Sequence, residues 1–288
     1  MPNDLPRNVI KDGEPSRTAL RVATLRGAHQ VLDEPVVLAD PFAIPILGPE
    51  LQKEMDDDPY QYNDLFLRVL RASVVLRAKF AEDELARGYA AGVRQYVVLG
   101  AGLDTFAYRN SHPELRVFEV DHPSTQAWKK RSLAAAGIAI PNTLRFVATD
   151  FEDGSLLREL ATTGFDTRRP ACFSWLGVTM YLTNAAVMDT LALVARLPQG
   201  TSITFDFRLV RALMNPFEQA VAPIVEQQVA ALGEPWLSAF DPAALQEDAL
   251  KLGFREARAY APDELNRQYF YRRKDGLNAN LRLLHAVV

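Results

Sequence analysis

Apolar residues in the first third of the chain recur at helical spacing. Across residues 16–32 they return every three or four positions, which predicts an amphipathic helix. The same spacing runs through residues 62–89 and predicts a long second helix, while Asp40-Pro41 marks the start of a short helix between them. We therefore predict that residues 1–92 form a helical cap on the part that follows.

After Gln95 the pattern changes to short, mostly apolar runs. Such a run, closed by glycine or an acid, is typical of a strand buried on both faces of a parallel sheet. Five runs alternate with helical segments across residues 93–207, which predicts a doubly wound, mostly parallel α/β sheet, because parallel neighbours need crossover helices. The predicted strands are 96–99, 115–120, 144–148, 171–175 and 201–205.

Beyond the fifth predicted strand the alternation stops. Residues 210–232 keep helical spacing and predict one or two helices in an insertion, 208–240, that lies over the carboxyl edge of the sheet. Its apolar residues are expected to press onto a bound molecule; they are Leu213, Phe217, Val221, Ile224 and Val225. The C-terminal part, 241–288, is predicted to add a helix over 242–252 and an antiparallel pair of strands over 254–260 and 268–272.

Composition and charge narrow the class of protein. The chain has 288 residues, of which 36 are acidic and 32 are Lys or Arg, for a formal net charge of −4. That balance argues against nucleic acid as a partner, since a binder of polyanions presents a basic surface. The single cysteine, Cys172, allows no internal disulfide, and the lack of a long apolar run predicts neither export nor a membrane span. We expect a cytoplasmic protein, and the sequence predicts no oligomeric state.

Residues suited to metal or nucleophilic catalysis are scattered along the chain. The four histidines form no H-x-x-x-H pair, and no carboxylate cluster has the spacing of metal ligands. A G-x-S-x-G motif, which would mark a hydrolase nucleophile, is also missing. We therefore expect no metal cofactor, and the sequence identifies no catalytic residue.

The residues that follow the first two predicted strands are candidates for ligand binding. Gly100-Ala101-Gly102 follows the first, where glycines let the backbone turn tightly towards a ligand, and Asp121 lies 21 residues after Gly100. An acid at about this spacing accepts hydrogen bonds from the hydroxyls of a ribose. Thr105 stands where a dinucleotide-binding motif has its third glycine, which favours a nucleoside without phosphates. On these residues alone, the alternative that this is a glycine-rich turn between strand and helix that binds no ligand stays open.

Several motifs taken together resemble one family. They are Val97-Val98-Leu99-Gly100-Ala101-Gly102-Leu103-Asp104-Thr105, Phe118-Glu119-Val120-Asp121-His122-Pro123, Thr149-Asp150-Phe151, Met180-Tyr181-Leu182, Tyr269-Phe270 and Asp275-Gly276-Leu277. They are similar to motifs of the leucine carboxyl methyltransferase-like family, which includes bacterial polyketide O-methyltransferases and consists of class I enzymes that use S-adenosylmethionine (SAM). With Arg26 and Asp40-Pro41, the resemblance covers nearly the whole chain. It implies a single class I methyltransferase domain over 1–288 with a Rossmann-like sheet, a helical cap and the 208–240 insertion as a lid.

The resemblance also implies roles for individual residues. The cofactor-binding residues would be Arg77 for the SAM carboxylate, Gly100 and Gly102 for its methionine part, Asp104 in the same turn, Asp121 for the ribose, and Asp150 with Phe151 for the adenine. Arg26 is a weaker candidate for the same basic pocket as Arg77, which would bind the SAM carboxylate. Tyr181, Tyr269 and Phe270 would line the pocket of the methyl acceptor.

One position departs from the pattern of the family. Relatives carry an acid near the cofactor in the segment after the fourth strand, where this chain has Leu176. The predicted function is SAM-dependent methyl transfer to a carboxyl or hydroxyl group of a small molecule. Two alternatives stay open, a SAM- or nucleoside-binding regulator without catalysis and a nicotinamide-dependent oxidoreductase, although Thr105 counts against the second.

Overall fold

The structure is a computed structural model that describes residues 17–149, 155–231 and 233–288. Its strands are β1 Gln95–Leu99, β2 Arg116–Asp121, β3 Leu144–Ala148, β4 Cys172–Trp175, β5 Ser202–Phe207, β6 Glu256–Tyr260 and β7 Arg282–Val287. Its α-helices are α1 Arg17–Leu32, α2 Pro49–Asp57, α3 Leu65–Ala90, α4 Phe106–Arg109, α5 Pro123–Ala135, α6 Leu156–Thr162, α7 Asn184–Ala195, α8 Pro216–Ala231, α9 Pro242–Leu252 and α10 Pro262–Tyr269. Short 3-10 turns cover Pro45–Leu47, Pro59–Tyr62, Thr179–Tyr181 and Arg211–Leu213. Within the described residues, none of the helices is both long and apolar enough to span a membrane.

The seven strands form one mixed sheet in the order β3-β2-β1-β4-β5-β7-β6. Strands β1 to β5 pair in parallel, and β7 runs antiparallel to both β5 and β6. The order reverses between β1 and β4, and in such sheets a ligand crevice opens at the carboxyl ends of the strands at this point. The predicted doubly wound, mostly parallel, Rossmann-like fold is therefore confirmed.

The strands are apolar on both faces because helices cover both faces of the sheet. All residues of β1 and of β5 are buried, as expected for central parallel strands. The largest ring systems of the core, Phe118, Phe173, Trp175 and Phe205, are almost fully buried in one cluster. Each such ring removes roughly 150–250 Å2 from water, so these residues dominate the packing that holds the strand ends in place.

A buried ionic cluster holds α1 against α3 in the N-terminal cap. Arg71 on α3 donates two hydrogen bonds to the Asp33 carboxylate, at 2.8 and 2.9 Å. His29 Nδ1 lies 2.7 Å from Asp33 Oδ2, while its Nε2 accepts from the Val37 amide, so the proton is on Nδ1. Burial raises the pKa of Asp33, but the hydrogen bonds from His29 and Arg71 outweigh it and lower the pKa to about 2.

The C-terminal strand pair differs from the prediction. Strand β6 lies within the predicted 254–260, but residues 268–272 end helix α10 and the turn after it instead of forming a strand. Pro262 at the first helical turn, followed by two acids, favours a helix start there. The partner of β6 is β7, whose Leu283 and Leu284 are fully buried, whereas Tyr271 is 79% exposed. The position between β5 and β6, where Leu283 and Leu284 become buried, selects the later run.

The predicted helices of the 208–240 segment are present as a 3-10 turn and α8, but three of the five apolar side chains expected to face inward are exposed. Leu213, Phe217 and Ile224 are 50%, 71% and 58% exposed. The helix is held instead by ion pairs, Glu218 with Arg282 and Glu226 with Arg208 and Arg211. The expectation that the apolar stripe presses onto a bound molecule is therefore wrong for Leu213, Phe217 and Ile224, whereas Val221 and Val225 are half-buried.

Candidate functional site

A cavity lies at the carboxyl ends of β1, β2 and β4, where α1 and α3 cover the edge of the sheet. The predicted site residues that line it are Arg77, Gly100, Gly102, Asp104, Asp121 and Tyr181. They come from α3, from the turns after β1 and β2, and from the segment after β4, so the fold gathers residues that are far apart in sequence. Asp150 and Phe151, the predicted adenine site, lie outside the described residues.

The glycine turn after β1 forms the floor of this cavity. Gly100 and Gly102 have positive φ angles of 67° and 44°, which residues with a side chain rarely adopt. A Cβ on Gly100 would also collide with Val178 Cγ2 of the segment after β4. Glycine at 100 is therefore required for both the backbone conformation and the close approach, and the turn lines the cavity.

Asp121 at the end of β2 is fixed by the same turn. Its Oδ2 accepts a 2.6 Å hydrogen bond from the Gly102 amide, and its Oδ1 accepts a 2.7 Å bond from the His122 amide. Burial raises its pKa, and the two amide hydrogen bonds act in the opposite direction. Each carboxylate oxygen has a second lone pair, so Asp121 keeps acceptor capacity for the hydroxyls of a ribose.

Arg77 lines the cavity from α3 and is paired with an acid that the sequence analysis missed. Its Nη1 lies 2.8 Å from Asp206 Oδ2, at the end of β5, and Asp206 Oδ1 accepts a 2.6 Å hydrogen bond from the Gly177 amide. A Cβ on Gly177 would lie 2.5 Å from Arg77 Nη2, so the guanidinium packs directly on this turn. A guanidinium has five N–H donors, and the pair with Asp206 leaves donors for a ligand carboxylate.

Asp206 supplies an acid beside the segment after β4, where the resemblance leads us to expect an acid and this chain has Leu176. Leu176 itself lines the cavity. The neighbouring strands β4 and β5 pair through Trp175 and Phe205, which brings Asp206 next to the turn that follows Trp175. The signal was available in the sequence, because Asp206 directly follows the predicted fifth strand, 201–205, just as Asp121 directly follows the predicted second strand, 115–120.

Arg26 and Asp104 belong to a buried polar network at one wall of the cavity. Arg26, 4% exposed, lies 3.1 Å through Nε from Asp40 Oδ2 and 3.6 Å through Nη1 from Asp104 Oδ2. Thr105 donates its hydroxyl proton to the same Asp40 carboxylate. The side chain that replaces the third glycine of a dinucleotide motif thus has a structural partner, which fits a cavity built for a nucleoside without phosphates.

Glu82 on α3 adds a carboxylate to this wall that the sequence analysis did not identify. It lines the cavity and is paired with Arg109. Burial raises the pKa of Glu82 above its ordinary value, although the arginine opposes that shift. His122 also lines the cavity, where its Nδ1 lies 2.7 Å from Ser124 Oγ at the start of α5. In the part of the chain that the structure describes, no three His, Cys, Asp or Glu side chains are grouped to hold a metal ion.

The structure does not bring Tyr269 and Phe270 to this cavity, which corrects the prediction for both. The Tyr269 hydroxyl donates a 3.0 Å hydrogen bond to Asp83 Oδ2, and its ring packs at 6.4 Å from that of Phe80. Phe270, 6% exposed, belongs to the same hydrophobic cluster. Helix α3 presents one face, with Arg77, to the cavity and another to these rings, so core packing and not ligand contact explains the aromatic pair.

Tyr181 does line the cavity, together with two residues that the sequence analysis missed, Thr18 on α1 and Glu234 after α8. The Thr18 hydroxyl donates to Glu234 Oε2, and Glu234 is 7% exposed. Burial raises the pKa of Tyr181, and the nearby Glu234 carboxylate adds to that shift. No motif marks Glu234, because its position at the cavity depends on the path of the chain after α8.

Comparison with known proteins places the chain in a family. Residues 19–195, more than half of the chain, match the family described as leucine carboxyl methyltransferase. The chain belongs to the leucine carboxyl methyltransferase family. The family predicted from the motifs is thereby confirmed, and with it methyl transfer from SAM as the class of activity.

Relatives of this leucine carboxyl methyltransferase family protein include one of nearly the same length. A Bacillus subtilis protein provisionally named as a SAM-dependent methyltransferase is 32% identical over 96% of this chain and 99% of its own length. A Saccharopolyspora erythraea protein with the same provisional name is 35% identical over 62% of this chain and 61% of its own.

Solved structures are similar in fold. A DUF574 family protein from Streptomyces avermitilis has a TM-score of 0.60 at 18% identity and covers 97% of this chain and 99% of its own. A provisionally assigned methyltransferase from Thermobifida fusca has a TM-score of 0.60 at 17% identity and covers 99% of both chains. At such identities the likeness supports the Rossmann-like fold alone.

Proposed function

We propose that this protein transfers the methyl group of SAM to an oxygen atom, in a carboxyl or hydroxyl group, of a small molecule. The observation that carries the proposal is one cavity with two chemically different ends. The end next to the glycine turn holds Asp121 and Arg77, and the end next to α8 holds Tyr181 and Glu234. We assign the first set of residues to the cofactor and the second set to the acceptor.

The residues of the first end fit SAM in chemistry and in space. Asp121 is oriented by two amides and keeps acceptor capacity for the ribose hydroxyls. Arg77 offers a planar fork to the methionine carboxylate. Glycine at 100 lets Val178 of the segment after β4 pack on the turn at a distance that any Cβ would prevent. Asp150 and Phe151 stay predicted as the adenine site, and the glycine turn as the contact of the methionine part.

When bound, SAM supplies an electrophilic methyl group on a sulfonium centre. The residues of the chain therefore need to align the acceptor oxygen with that methyl and to exclude water, and positioning of this kind contributes roughly 7–11 kcal/mol to catalysis. The helical cap, 1–92, and the 208–240 segment, as a lid, are proposed to do this. Thr18 of the cap and Glu234 of the lid contact each other across the cavity, which supports this assignment.

Transfer of a labelled methyl group tests the proposed function. The protein is incubated with tritiated SAM and a panel of small alcohols, phenols and carboxylic acids, and each product is analysed by mass spectrometry before and after alkaline hydrolysis, which cleaves methyl esters and leaves ethers. We expect a labelled ether or ester that Asp121→Ala makes far more slowly. Label found only on nitrogen, carbon or sulfur would contradict oxygen as the acceptor.

A further inference from the structure

Asp206, near the end of β5, is a buried acid to which the proposed function gives no role. It is 5% exposed. Its carboxylate accepts two hydrogen bonds, at Oδ1 from the Gly177 amide at 2.6 Å and at Oδ2 from Arg77 Nη1 at 2.8 Å. Its backbone carbonyl accepts a 2.6 Å bond from the Thr179 hydroxyl. Asp206 therefore joins β5 to helix α3 and to the segment after β4.

The partners of the Asp206 carboxylate face the cavity, and Asp206 stands behind them. Arg77 and Gly177 line the cavity, whereas Asp206 is not among the described residues that line it. A Cβ on Gly177 would lie 2.5 Å from Arg77 Nη2 and 3.0 Å from Arg77 Cζ, so the guanidinium occupies the place of a side chain on this turn. The turn and the Asp206 carboxylate thus hold the guanidinium from two directions.

The hydrogen bond to Asp206 leaves part of the guanidinium for a ligand. It engages Nη1, and a guanidinium also carries N–H donors on Nε and Nη2. Those two nitrogens form one edge, which binds both oxygens of a carboxylate in a planar fork. A guanidinium that rotates freely presents this edge in many directions, whereas one that is held by Asp206 presents it in one.

The charge of Arg77 also reaches the end of the cavity next to α8. Burial raises the pKa of Tyr181, and the charge of Arg77 acts in the opposite direction. The ion pair with Asp206 keeps that charge on the Gly177 turn. The position that Asp206 gives to the guanidinium therefore matters for both parts of the cavity.

Two effects of Asp206 on a bound carboxylate oppose each other. Its negative charge weakens the attraction between Arg77 and the carboxylate. Its hydrogen bond holds a flexible side chain in place beforehand, and a side chain that must be immobilised on binding lowers the affinity by roughly two- to tenfold. The amino-acid part of SAM carries an ammonium group beside its carboxylate, and Asp206 attracts the first as it repels the second. The charges therefore largely cancel, and we expect the effect of position to be the larger.

We propose that Asp206 is a positioning residue, which fixes the Arg77 guanidinium on the Gly177 turn and thereby sets how strongly the protein prefers a cofactor that carries a carboxylate. This inference rests on the proposed function, since that function assigns Arg77 to the carboxylate of SAM. It adds a residue that acts through Arg77 and does not touch the cofactor itself. No bond is made or broken at Asp206.

Asp206→Asn is the variant that tests this role with the smallest change of shape. The carboxylate offers one acceptor oxygen to the Gly177 amide and another to Arg77 Nη1. An asparagine amide has one acceptor oxygen and an NH₂ group that only donates, so in either orientation one of the two N–H groups faces another donor. The variant therefore loses the fixed arrangement whichever way its amide is turned.

Calorimetry with SAM and decarboxylated SAM measures the preference for the carboxylate. We expect the wild type to prefer SAM by about tenfold or more, and Asp206→Asn to lose roughly two- to tenfold of that preference. The sign is decisive, because decarboxylated SAM is the more cationic ligand and mere loss of a negative charge would raise the preference for SAM. Glu218→Gln is the matched control, since its pair with Arg282 is similarly buried and lies outside the described lining of the cavity. It should keep the wild-type preference.

A double-mutant cycle separates positioning from a general structural role. Arg77→Met should itself lower the preference for SAM, and adding Asp206→Asn should lower it no further. Gly177→Ala is the second variant, because its Cβ would displace the guanidinium while Asp206 is kept, and it should also lower the preference. Thermal melting checks that each variant folds. An unchanged or raised preference in folded Asp206→Asn would overturn the inference, and so would a fall that persists in the Arg77→Met background.

The acceptor panel separates this inference from the proposed function. Equal binding of SAM and decarboxylated SAM by the wild type would overturn the inference, while labelled ethers or esters would leave oxygen methylation standing. Label found only on nitrogen, carbon or sulfur would overturn oxygen as the acceptor. The expected fall of the preference in Asp206→Asn would still support the role of Asp206, because the binding measurement involves no acceptor.

Discussion

The two ends of the cavity are built in different ways. At the cofactor end, Asp121 and Asp206 are the last or next-to-last residues of strands, and each accepts a hydrogen bond from the backbone of a glycine turn. At the acceptor end, Thr18, Tyr181 and Glu234 come from a helix start, a 3-10 turn and a loop. The sheet positions the first set, whereas contacts between distant segments position the second.

This difference separates what binds the cofactor from what selects the acceptor. Strand ends are tied into the most buried part of the molecule, so the cofactor end is expected to keep its geometry when the surface helices change. The acceptor end depends on α8, which contributes one buried residue, Val229, and is held by ion pairs at its surface. The specificity for the acceptor can therefore change without loss of cofactor binding.

The largest effect is expected from removing the 210–232 segment. Replacing it by a short Gly/Ser linker should lower methyl transfer by ~10²-fold or more, because the acceptor is no longer held in line. SAM binding should stay within a fewfold of wild type, since its contacts come from strand ends and α3. Calorimetry and tritium transfer measure the two quantities. Full transfer by the shortened protein would contradict the distinction between the two ends.

A matched control uses the outer face of the same helix. Phe217 and Ile224 are 71% and 58% exposed, so Phe217→Ser combined with Ile224→Ser should leave transfer near the wild-type rate. A loss of transfer in this variant comparable to that of the linker variant would show that the helix turns its apolar face to the acceptor during the reaction.

The next largest effect is expected at the cofactor end. Asp121→Ala should weaken SAM binding by about 1.5–3 kcal/mol, because hydrogen bonds to a charged group are lost. Calorimetry measures the affinity, and circular dichroism melting confirms that the variant folds. Asp57→Ala, which removes a carboxylate from an exposed pair with Lys53, is the control and should bind SAM as the wild type does. Unchanged affinity in a folded Asp121→Ala protein would remove Asp121 from the site.

A third prediction concerns the buried ionic cluster of Arg71, Asp33 and His29, which holds α1 against α3. The pKa of Asp33 in the folded protein is about 2, below its ordinary value, so its contribution to stability is present above about pH 4 and is lost as the pH falls towards 2. We expect the difference in the free energy of unfolding between wild type and Asp33→Asn to shrink by about 2 kcal/mol over that range. Urea unfolding from pH 6 downwards measures it, and a difference that does not change with pH would exclude the ionised pair.

A smaller effect is expected for Arg77→Lys. Lysine keeps the charge but lacks the planar fork, so SAM binding should weaken by about 1 kcal/mol. The wild type should also bind SAM more tightly than decarboxylated SAM, and the variant should discriminate less between them. Equal affinity of the wild type for the two compounds would show that Arg77 does not bind the carboxylate.

The smallest effect is expected from chelation. The sequence offers no set of metal ligands, and the described residues contain no group of three that could hold an ion. EDTA should therefore leave the rate of methyl transfer unchanged, measured with the acceptor that the panel identifies. A fall in the rate that magnesium restores would mean that the acceptor is aligned by a metal.

The accuracy of the sequence predictions varies along the chain. The five parallel strands and the site residues at their ends were predicted because each strand is a local apolar run and each turn a local motif. The second C-terminal strand was predicted at 268–272, whereas β7 lies at Arg282–Val287. Both runs are β-prone, and only the space between β5 and β6 selects one of them. Tyr269 and Phe270 were misplaced for the same reason, since an aromatic pair suits a pocket and a core equally well.

The sequence by itself determined the family and the Rossmann-like sheet and predicted residues for the cofactor end, because glycine turns and strand-end acids depend on neighbours within a few positions. Only the tertiary structure decided that Asp206 stands beside Arg77 and that Glu234 reaches the cavity from beyond α8. It also left Phe217 and Ile224 of α8 exposed. These outcomes depend on which distant segments pack together, and a pattern of local periodicity carries no information about that choice.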